Sequence, residues 1–489
     1  MRHLPRINLL PRIHDIFYIA LFFAVLILGN RMLNLDGDLP RHLLMGQYIL
    51  QTGEVPATEV FIHPYMGRHY VTHEWLADVI FFGIYTAMGL KGIVVFAAFA
   101  LATTFFLIYQ NVTTRFQNRL GAFVLVAWGV LATSLNWVTR PHLISMLFLA
   151  IWLIWAEKLR RGEKIPLWIF PAFMLVWSNM HGVFIAGILV LFAYAVGWVL
   201  DAILDNTNIN KEVGKNLWLG LILSALASLL NPGGSGSWES ILGFVNNQYL
   251  MSRMLESNPP NFQMPEMRVL LGLITFSIFL LAVKKERLAS GQGLLLAGFS
   301  AMSLIAFRNI HLYGVVAPFV LAETLIIFKN IPFLYRLESN LHRIESQIQG
   351  KFWVVFSTVL LSALTLSSTI AANFYQFNPA KFPVKAVEWL KENPQEGKMF
   401  NYLNWGGYVT FNLYPDQLAF IDSVADVTGE VTMEYETIFR MLTGWEDILD
   451  HYDIQWVIIP PDSDLAKTLA GKFQWSILYK DDTAIILRK

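Results

Sequence analysis

"EWLADVIFFGIYTAMG", residues Glu74–Gly89, decides how the chain is threaded. It is apolar enough to enter a membrane, yet a helix of this length covers roughly 24 Å against a hydrocarbon core of about 30 Å. It opens on Glu74 and carries Asp78 one helical turn further on. If it crosses the membrane, the orientation of every later segment flips. If it lies in the interface, none does.

Outward from it, apolar segments run at 15–33, 91–110, 120–138, 141–157, 165–180, 182–203, 216–231, 267–283, 291–307, 309–328 and 352–372. The chain of 489 residues is 55% hydrophobic and 15% charged, against about 25% charged in a soluble domain, so it reads as an α-helical polytopic membrane protein. With 74–90 in the interface, "TRFQNR" (Arg115, Arg119), "KLRRGEK" (Lys158, Arg160, Arg161, Lys164), "KKER" (Lys284, Lys285, Arg287) and the basic 329–351 region share one side with Arg2, Arg6 and Arg12. With 74–90 as a span, those loops oppose the basic N-terminus. The preference of cytoplasmic loops for Lys and Arg selects the first arrangement. The expectation is about eleven spans, a cytoplasmic N-terminus, and "FLYRLESNLHRIESQI" as a surface-lying cytoplasmic helix. The first apolar run reads as a retained anchor, since no small-residue cleavage site follows it. Zero net charge argues against a nucleic-acid partner. The lack of cysteine excludes disulfides, thiolate metal sites and a Cys nucleophile.

This threading collects the unusual residues on the outer side. They are "DGDLPRH" (36–42), "HPYMGRHYVTHEW" (63–75), "NWVTRPH" (136–142), "WSNMHG" (177–182), "NPGGSGSWE" (231–239) with "MSRMLESNPPNF" (251–262), and "FRNIH" (307–311). Each has a bland reading. Asp38 before Leu-Pro suits a helix cap, His181 beside Gly182 suits an interfacial histidine, and Arg140 and Arg308 suit snorkelling toward headgroups. Their convergence from at least five helices on one face is what a charged cavity at membrane depth requires.

After the last span the hydropathy changes. "VKAVEWLKEN" has helical periodicity, "KMFNY" and "LAFID" read as strands, and "EYETIFRMLTGWEDILDHY" reads as helix. "IQWVIIP" reads as a buried strand and "WSILYKDDTAIILRK" as a terminal hairpin turning at Asp481-Asp482. These form a small C-terminal α/β domain, 376–489, behind a membrane module, 1–375, whose first outer loop is 34–90. Gly406-Gly407 suits a tight turn. The tail has no phosphate-binding glycine loop, nucleophile elbow or zinc-ligand spacing.

A first span, an outer loop opening on an acidic pair, and surface helices before the next span together resemble the GT-C glycosyltransferases. "DGDLPRHLLMGQYILQTGEVP" and "THEWLADVIFF" are similar to a bacterial and archaeal branch of that superfamily, as is "NWGGYV" followed by "AFIDS". The tail motif is distantly similar to W-W-D-Y-G of the oligosaccharyltransferase catalytic subunit. Its Asp has no counterpart in "NWGGY", so recognition of a protein sequon does not carry over.

The resemblance implies a GT-C-like fold with interfacial helices in the first outer loop. It also implies transfer of a sugar from a polyprenyl-phosphate-linked donor to a glycan, lipid or protein acceptor at the outer face, with inversion. By family position the base is Asp38 or Asp36, and Asp38 is favoured because His42 lies one turn further on the same helix face. Arg140 and Arg308 suit bidentate binding of the leaving phosphate. His42, His73, Glu74, His142 and His181 complete the donor side; Trp405, Tyr408 and Asp422 are the acceptor-side candidates. Asp36, Asp38 and Glu74 are the candidate ligands of a divalent cation, Mg²⁺ or Mn²⁺, whose involvement the spacing leaves open; no other cofactor is indicated. The competing readings are a lipid or sugar transporter or flippase, for which the sequence shows no internal repeat, and a catalytically inactive GT-C relative.

Overall fold

The structure, a computed structural model, describes residues 10–205, 210–284, 287–348, 352–422 and 429–489. Apolar runs without polar relief must satisfy their backbone internally, and they do so as helices. In chain order these begin with α1 (Ile13–Leu33), α2 (Asp38–Thr52), α3 (Trp75–Phe116), α4 (Arg119–Thr133), α5 (His142–Arg160), α6 (Ile169–Ser178), α7 (Phe184–Asp205) and α8 (Lys211–Ala227). Helices Arg268–Val283, Ser290–Ile305, Ile310–Leu321 and Trp353–Ser367 complete the bundle. Among the described residues, seven helical stretches are long and apolar enough to cross a membrane, and shorter apolar helices stand at 169–178, 290–305 and 353–367. With α8, each expected span has its helix.

Charged groups sort to two ends of this bundle. At one end Glu157 accepts from Arg115 at 2.8 Å, Arg160 at 2.7 Å and Tyr194 at 2.9 Å. Glu323 faces Lys284 at 3.5 Å and Arg160 at 3.7 Å. Arg119 pairs with Glu338 at 3.1 Å and with Glu345, and Arg12 donates to the Ile348 carbonyl at 3.2 Å. Apart from Tyr194, inside the 182–203 segment, these partners lie in the loops, or at the ends of the spans, that the charge rule turns to the cytoplasm. The helix Pro332–Gln347 exposes Phe333, Tyr335, Leu337 and Ile344, the surface a membrane-lying helix turns to lipid.

α3 starts at the opposite end, where Trp75 donates to Asn179 at 2.6 Å, and finishes at Arg115 beside Glu157. It breaks at Gly89, whose φ of +65° and ψ of −164° lie where a side chain is strongly disfavoured. Residues 75–88 are therefore a short separate helix, and 90–116 a longer one. The break falls at Gly89, where the short apolar segment quoted from the sequence ends. A cysteine placed at Arg161 should be shielded from an impermeant thiol reagent in intact cells, and one at the exposed Asp462 should react. The reverse labelling pattern would overturn the threading.

The C-terminal domain is built on a four-stranded sheet in the order β1-β2-β4-β3: β1 (Lys398–Asn401), β2 (Ile454–Ile459), β3 (Ser476–Lys480) and β4 (Ile485–Arg488). β1 and β2 are parallel, and β3 and β4 form the expected hairpin through Asp481-Asp482. β2 is the buried strand, with Trp456 to Ile459 inaccessible. Three local expectations need correction. "LAFID" is not a strand in this sheet; Ala419 makes a single bridge to Ile62 of the first outer loop. The helix expected over 434–452 is two, Glu430–Phe439 and Trp445–His451, parted at Gly444 (φ +87°). Gly406-Gly407 is no turn but the start of helix Gly406–Leu413. A Cβ at Gly406 would lie 2.0 Å from the Ile421 carbonyl oxygen, and one at Gly407 3.1 Å from the Arg41 backbone nitrogen.

Gly407, and from the other side Gly37, whose Cβ would lie 2.3 Å from the Asn404 carbonyl oxygen, let the domain sit directly on the 34–90 loop. Asn34 closes the same contact: its Oδ1 accepts from the Asn378 backbone at 2.7 Å and its carbonyl from Lys381 at 3.0 Å.

Candidate functional site

Beyond α1 the chain turns through Asn34–Gly37 into α2. Asp36 Oδ1 accepts the Asp38 backbone N–H at 3.1 Å, satisfying one free donor of the helix start. This capping uses one oxygen. The other points at Arg140, whose Nε lies 3.0 Å from Asp36 Oδ2 and 2.8 Å from Asp38 Oδ2. Arg140 comes from the turn before α5, held to the end of α1 by Thr139 N–H on the Met32 carbonyl. Its Nη1 reaches Glu256 Oε2 at 3.2 Å, and the other Glu256 oxygen meets Arg308 Nη2, also at 3.2 Å. Arg308 further donates to Ser257 Oγ at 2.9 Å. Two aspartates, two arginines and one glutamate thus alternate in a chain at the end of the bundle opposite Glu157. These side chains keep access to solvent, from 15% exposed for Asp38 to 38% for Glu256. Burial pushes the Asp36 carboxyl up, with the nearby Asp38 charge adding to it and Arg140 opposing.

A second cluster adjoins the first. "HEW" and "SNMH", a hundred residues apart, form one clasp. Trp75 donates to Asn179, the Leu76 N–H reaches the Asn179 carbonyl at 3.2 Å, and Glu74 Oε1 lies 3.3 Å from His181 Nε2. Ser145 Oγ accepts from the Trp177 indole at 2.9 Å, so its own proton is directed at His181 Nδ1, 3.0 Å away. That places the His181 proton on Nε2, facing Glu74. Burial drives His181 well below the ordinary histidine range, reinforced by neighbouring histidines, and raises the Glu74 carboxyl. His73 Nε2 lies 3.8 Å from Glu74. His142 is tied to the Asn136 carbonyl at 3.0 Å, with His311 packed beside it, ring centres 5.3 Å apart.

His42 links the clusters. Its Nδ1 is 2.7 Å from Asp78 and 3.7 Å from Glu74. Burial disfavours its charge, but the Asp78 carboxylate, by charge and hydrogen bond, with Glu74 and Asp38, outweighs this and raises it to about 9 from 6.5. A raised histidine contributes stability in full below its unfolded value, and that contribution is lost as pH rises through the folded one. Thermal stability should therefore fall between about pH 7 and pH 9, and His42→Gln should flatten that fall.

Nine sequence candidates thus meet at one end: Asp36, Asp38, His42, His73, Glu74, Arg140, His142, His181 and Arg308. Trp405, Tyr408 and Asp422 do not join them. Trp405 is buried, donating to the Lys381 carbonyl at 2.8 Å, and Tyr408 packs between Phe377 and Phe382. Asp422 is buried against Arg41 at 2.7 Å, and Arg41 also holds Glu59 at 3.1 Å. Trp405 and Tyr408 thus lie in the core of the C-terminal domain, and Asp422 ties that domain to Arg41 of α2. The sequence reading assigned no role to Arg41, Glu59, Asp78 or Glu256. The signal available for each was an unexplained charge inside or beside a quoted motif.

The proposed cation ligands do not fit a metal. Glu74 lies among histidines, apart from the aspartate pair. The pair already shares the Arg140 guanidinium at salt-bridge distance, where a divalent ion would meet an adjacent positive charge. Among the described residues, no three His, Asp or Glu side chains converge on a metal position.

The sequence matches no family profile and no curated protein. The fold does have solved relatives. The apo oligosaccharyltransferase of Archaeoglobus fulgidus superposes with a TM-score of 0.56 at 11% identity, over 93% of this chain and 70% of that one. The same organism's oligosaccharyltransferase AglB, in complex with an inhibitory peptide and a dolichol-phosphate, gives 0.59 at 10% identity, over 93% and 70%. Its complex with Zn and sulfate gives 0.59 at 12% identity, over 94% and 68%. The chain has the fold of these oligosaccharyltransferases, as its resemblance to the GT-C group implied, in a multi-pass membrane protein carrying a small C-terminal sheet domain.

Proposed function

We propose that this protein is a membrane glycosyltransferase that moves a sugar from a polyprenyl-phosphate-linked donor to an acceptor on the outer face of the membrane. The observation that carries the reading is the alternation of Asp36 and Asp38 with Arg140 and Arg308 just beyond the first span, in a fold shared with oligosaccharyltransferases. Sugar transfer from a lipid phosphate needs both signs of charge within one sugar's reach: a carboxylate to take the acceptor proton and cations to hold the departing phosphate.

In this account Asp38 removes the proton from an acceptor hydroxyl, whose oxygen bonds to the anomeric carbon as the carbon–phosphate oxygen bond breaks. The single displacement inverts the anomeric centre. Arg308 and the Nη side of Arg140 take the phosphate, which displaces Glu256 from both guanidiniums. Glu74, fixed by His181, and His42, fixed by Asp78, line the space for the sugar. The C-terminal domain and the site face the outside, and the Glu157 network faces the cytoplasm.

Arg308 supplies a discriminating test. Lysine keeps its charge but loses the planar fork that matches phosphate. Arg308→Lys should weaken binding of a polyprenyl-phosphate donor at least about tenfold, the value of one lost charge-assisted hydrogen bond. Unchanged donor affinity in a folded variant would make Arg308 a structural partner of Glu256 and Ser257 and would remove the phosphate clamp.

A further inference from the structure

We infer that the Arg140 guanidinium stands in the position a divalent cation would occupy on Asp36, Asp38 and Glu256, so that the site is built to work with an internal cation. This rests on the transferase reading above for its purpose, but the geometry is independent of it. A metal in such a site would neutralise a cluster of carboxylates and present a positive face to the phosphate. Arg140 does both. Its Nε is within 3.0 Å of both aspartates, and its Nη1 is turned 3.2 Å toward Glu256 on the phosphate side. The five donors of a guanidinium suit this bridging, since one edge can hold the carboxylates while another stays directed at a second anion.

Charge bookkeeping agrees. Asp36, Asp38 and Glu256 supply three formal negative charges, and Arg140 with Arg308 supply two positive ones. One incoming divalent ion would leave the cluster positive and force two like charges into contact, unless Arg140 left. Its exit would remove the guanidinium that Asp36 and Asp38 share. The nearest further acids, Glu74 and Asp78, are committed to His181 and His42.

The experiment is Mn²⁺ binding, read by electron paramagnetic resonance and thermal shift on the full-length protein in detergent. The parent should show no saturable Mn²⁺ binding at about 1 mM metal, the weak end of protein divalent sites, and no change of melting temperature with EDTA. Arg140→Ala exposes the three carboxylates and should gain Mn²⁺ binding at least about tenfold over the parent, as expected when all-oxygen ligands lose their internal cation. Adding Asp36→Asn should remove that gain.

Parent binding that disappears in Asp36→Asn/Asp38→Asn would overturn the inference, and so would a folded Arg140→Ala that gains nothing. If Arg140→Ala fails to fold without metal, rescue of its folding by Mn²⁺ supports the inference and failure of rescue counts against it. These readouts do not use transfer activity. A protein that proves not to be a transferase can still pass them, and a transferase can still fail them.

Discussion

Asp38→Asn should lower sugar transfer about 10²–10⁴-fold, the usual contribution of a positioned general base. The amide keeps nearly the shape of the carboxylate but cannot take the acceptor proton. Donor binding should change far less, because the phosphate contacts are assigned to Arg308 and to the Nη side of Arg140, while Asp38 faces Nε at 2.8 Å. Asp36→Asn is the internal comparison. Asp36 spends one oxygen on the Asp38 backbone N–H, so its loss should loosen the start of α2 more than it slows the chemistry. A large loss of transfer in Asp36→Asn with an active Asp38→Asn would reverse the assignment within the pair. Full activity in both folded variants would reduce the pair to a helix cap with an arginine partner.

Arg41→Ala should destabilise the folded protein by about 3–5 kcal/mol, the cost of leaving buried charges without their partner. Arg41 is 1% exposed, and its guanidinium joins Glu59 of the first outer loop to Asp422 of the C-terminal domain across the face of Phe61, 4.3 Å from the ring centre. Removing it takes the cation from two buried carboxylates, of which Glu59 keeps the Val60 and Phe61 backbone N–H donors at 3.0 and 2.7 Å. Melting in detergent, with limited proteolysis of the C-terminal domain, reads this directly. The domain should become protease-sensitive before the helical bundle unfolds. Arg41→Lys should recover part of the loss through charge alone. A variant with parental melting and parental protease resistance would show that the domain is held by its apolar contacts and not by this triad.

The parts of this molecule legible in its sequence are those set by one-dimensional patterns. Apolar length gave the helices, loop charge grouped their ends, and the shortness of 74–89 matches the break that Gly89 makes. That grouping then sorted "DGD", "HEW", "RPH", "NMH" and "FRN" to one end, which is why nine site candidates meet. What sequence could not supply is pairing across distance. Arg140 looked like a free phosphate ligand because nothing in the chain's order shows that it folds onto Asp36 and Asp38, about a hundred residues earlier. Glu256 lay in a long polar loop with no periodicity to mark it. "NWGGYV" and "AFIDS" stand out by their resemblance to a GT-C branch, and such a resemblance does not show what each residue packs against. Gly406 packs on the Ile421 carbonyl inside the domain, Gly407 admits the Arg41 backbone, Trp405 and Tyr408 fill the domain's own core, and Asp422 pairs with Arg41. The segment "LAFID" is not a strand because Ala419 bridges Ile62 while Phe420 and Ile421 are held by the Asn401 side chain of β1 instead of by a backbone ladder.

The central claim is that a lipid phosphate binds at the outer end of the bundle beside an acidic pair. A structure of the full-length protein in lipid nanodiscs with a polyprenyl phosphate tests it most directly. The account predicts the phosphate within hydrogen-bond reach of Arg308 and of Arg140 Nη1, with Glu256 displaced and Asp38 facing the space where the sugar would lie. A phosphate found at the Glu157 end, or at the outer end with the Arg140–Glu256–Arg308 chain intact and untouched, would contradict it.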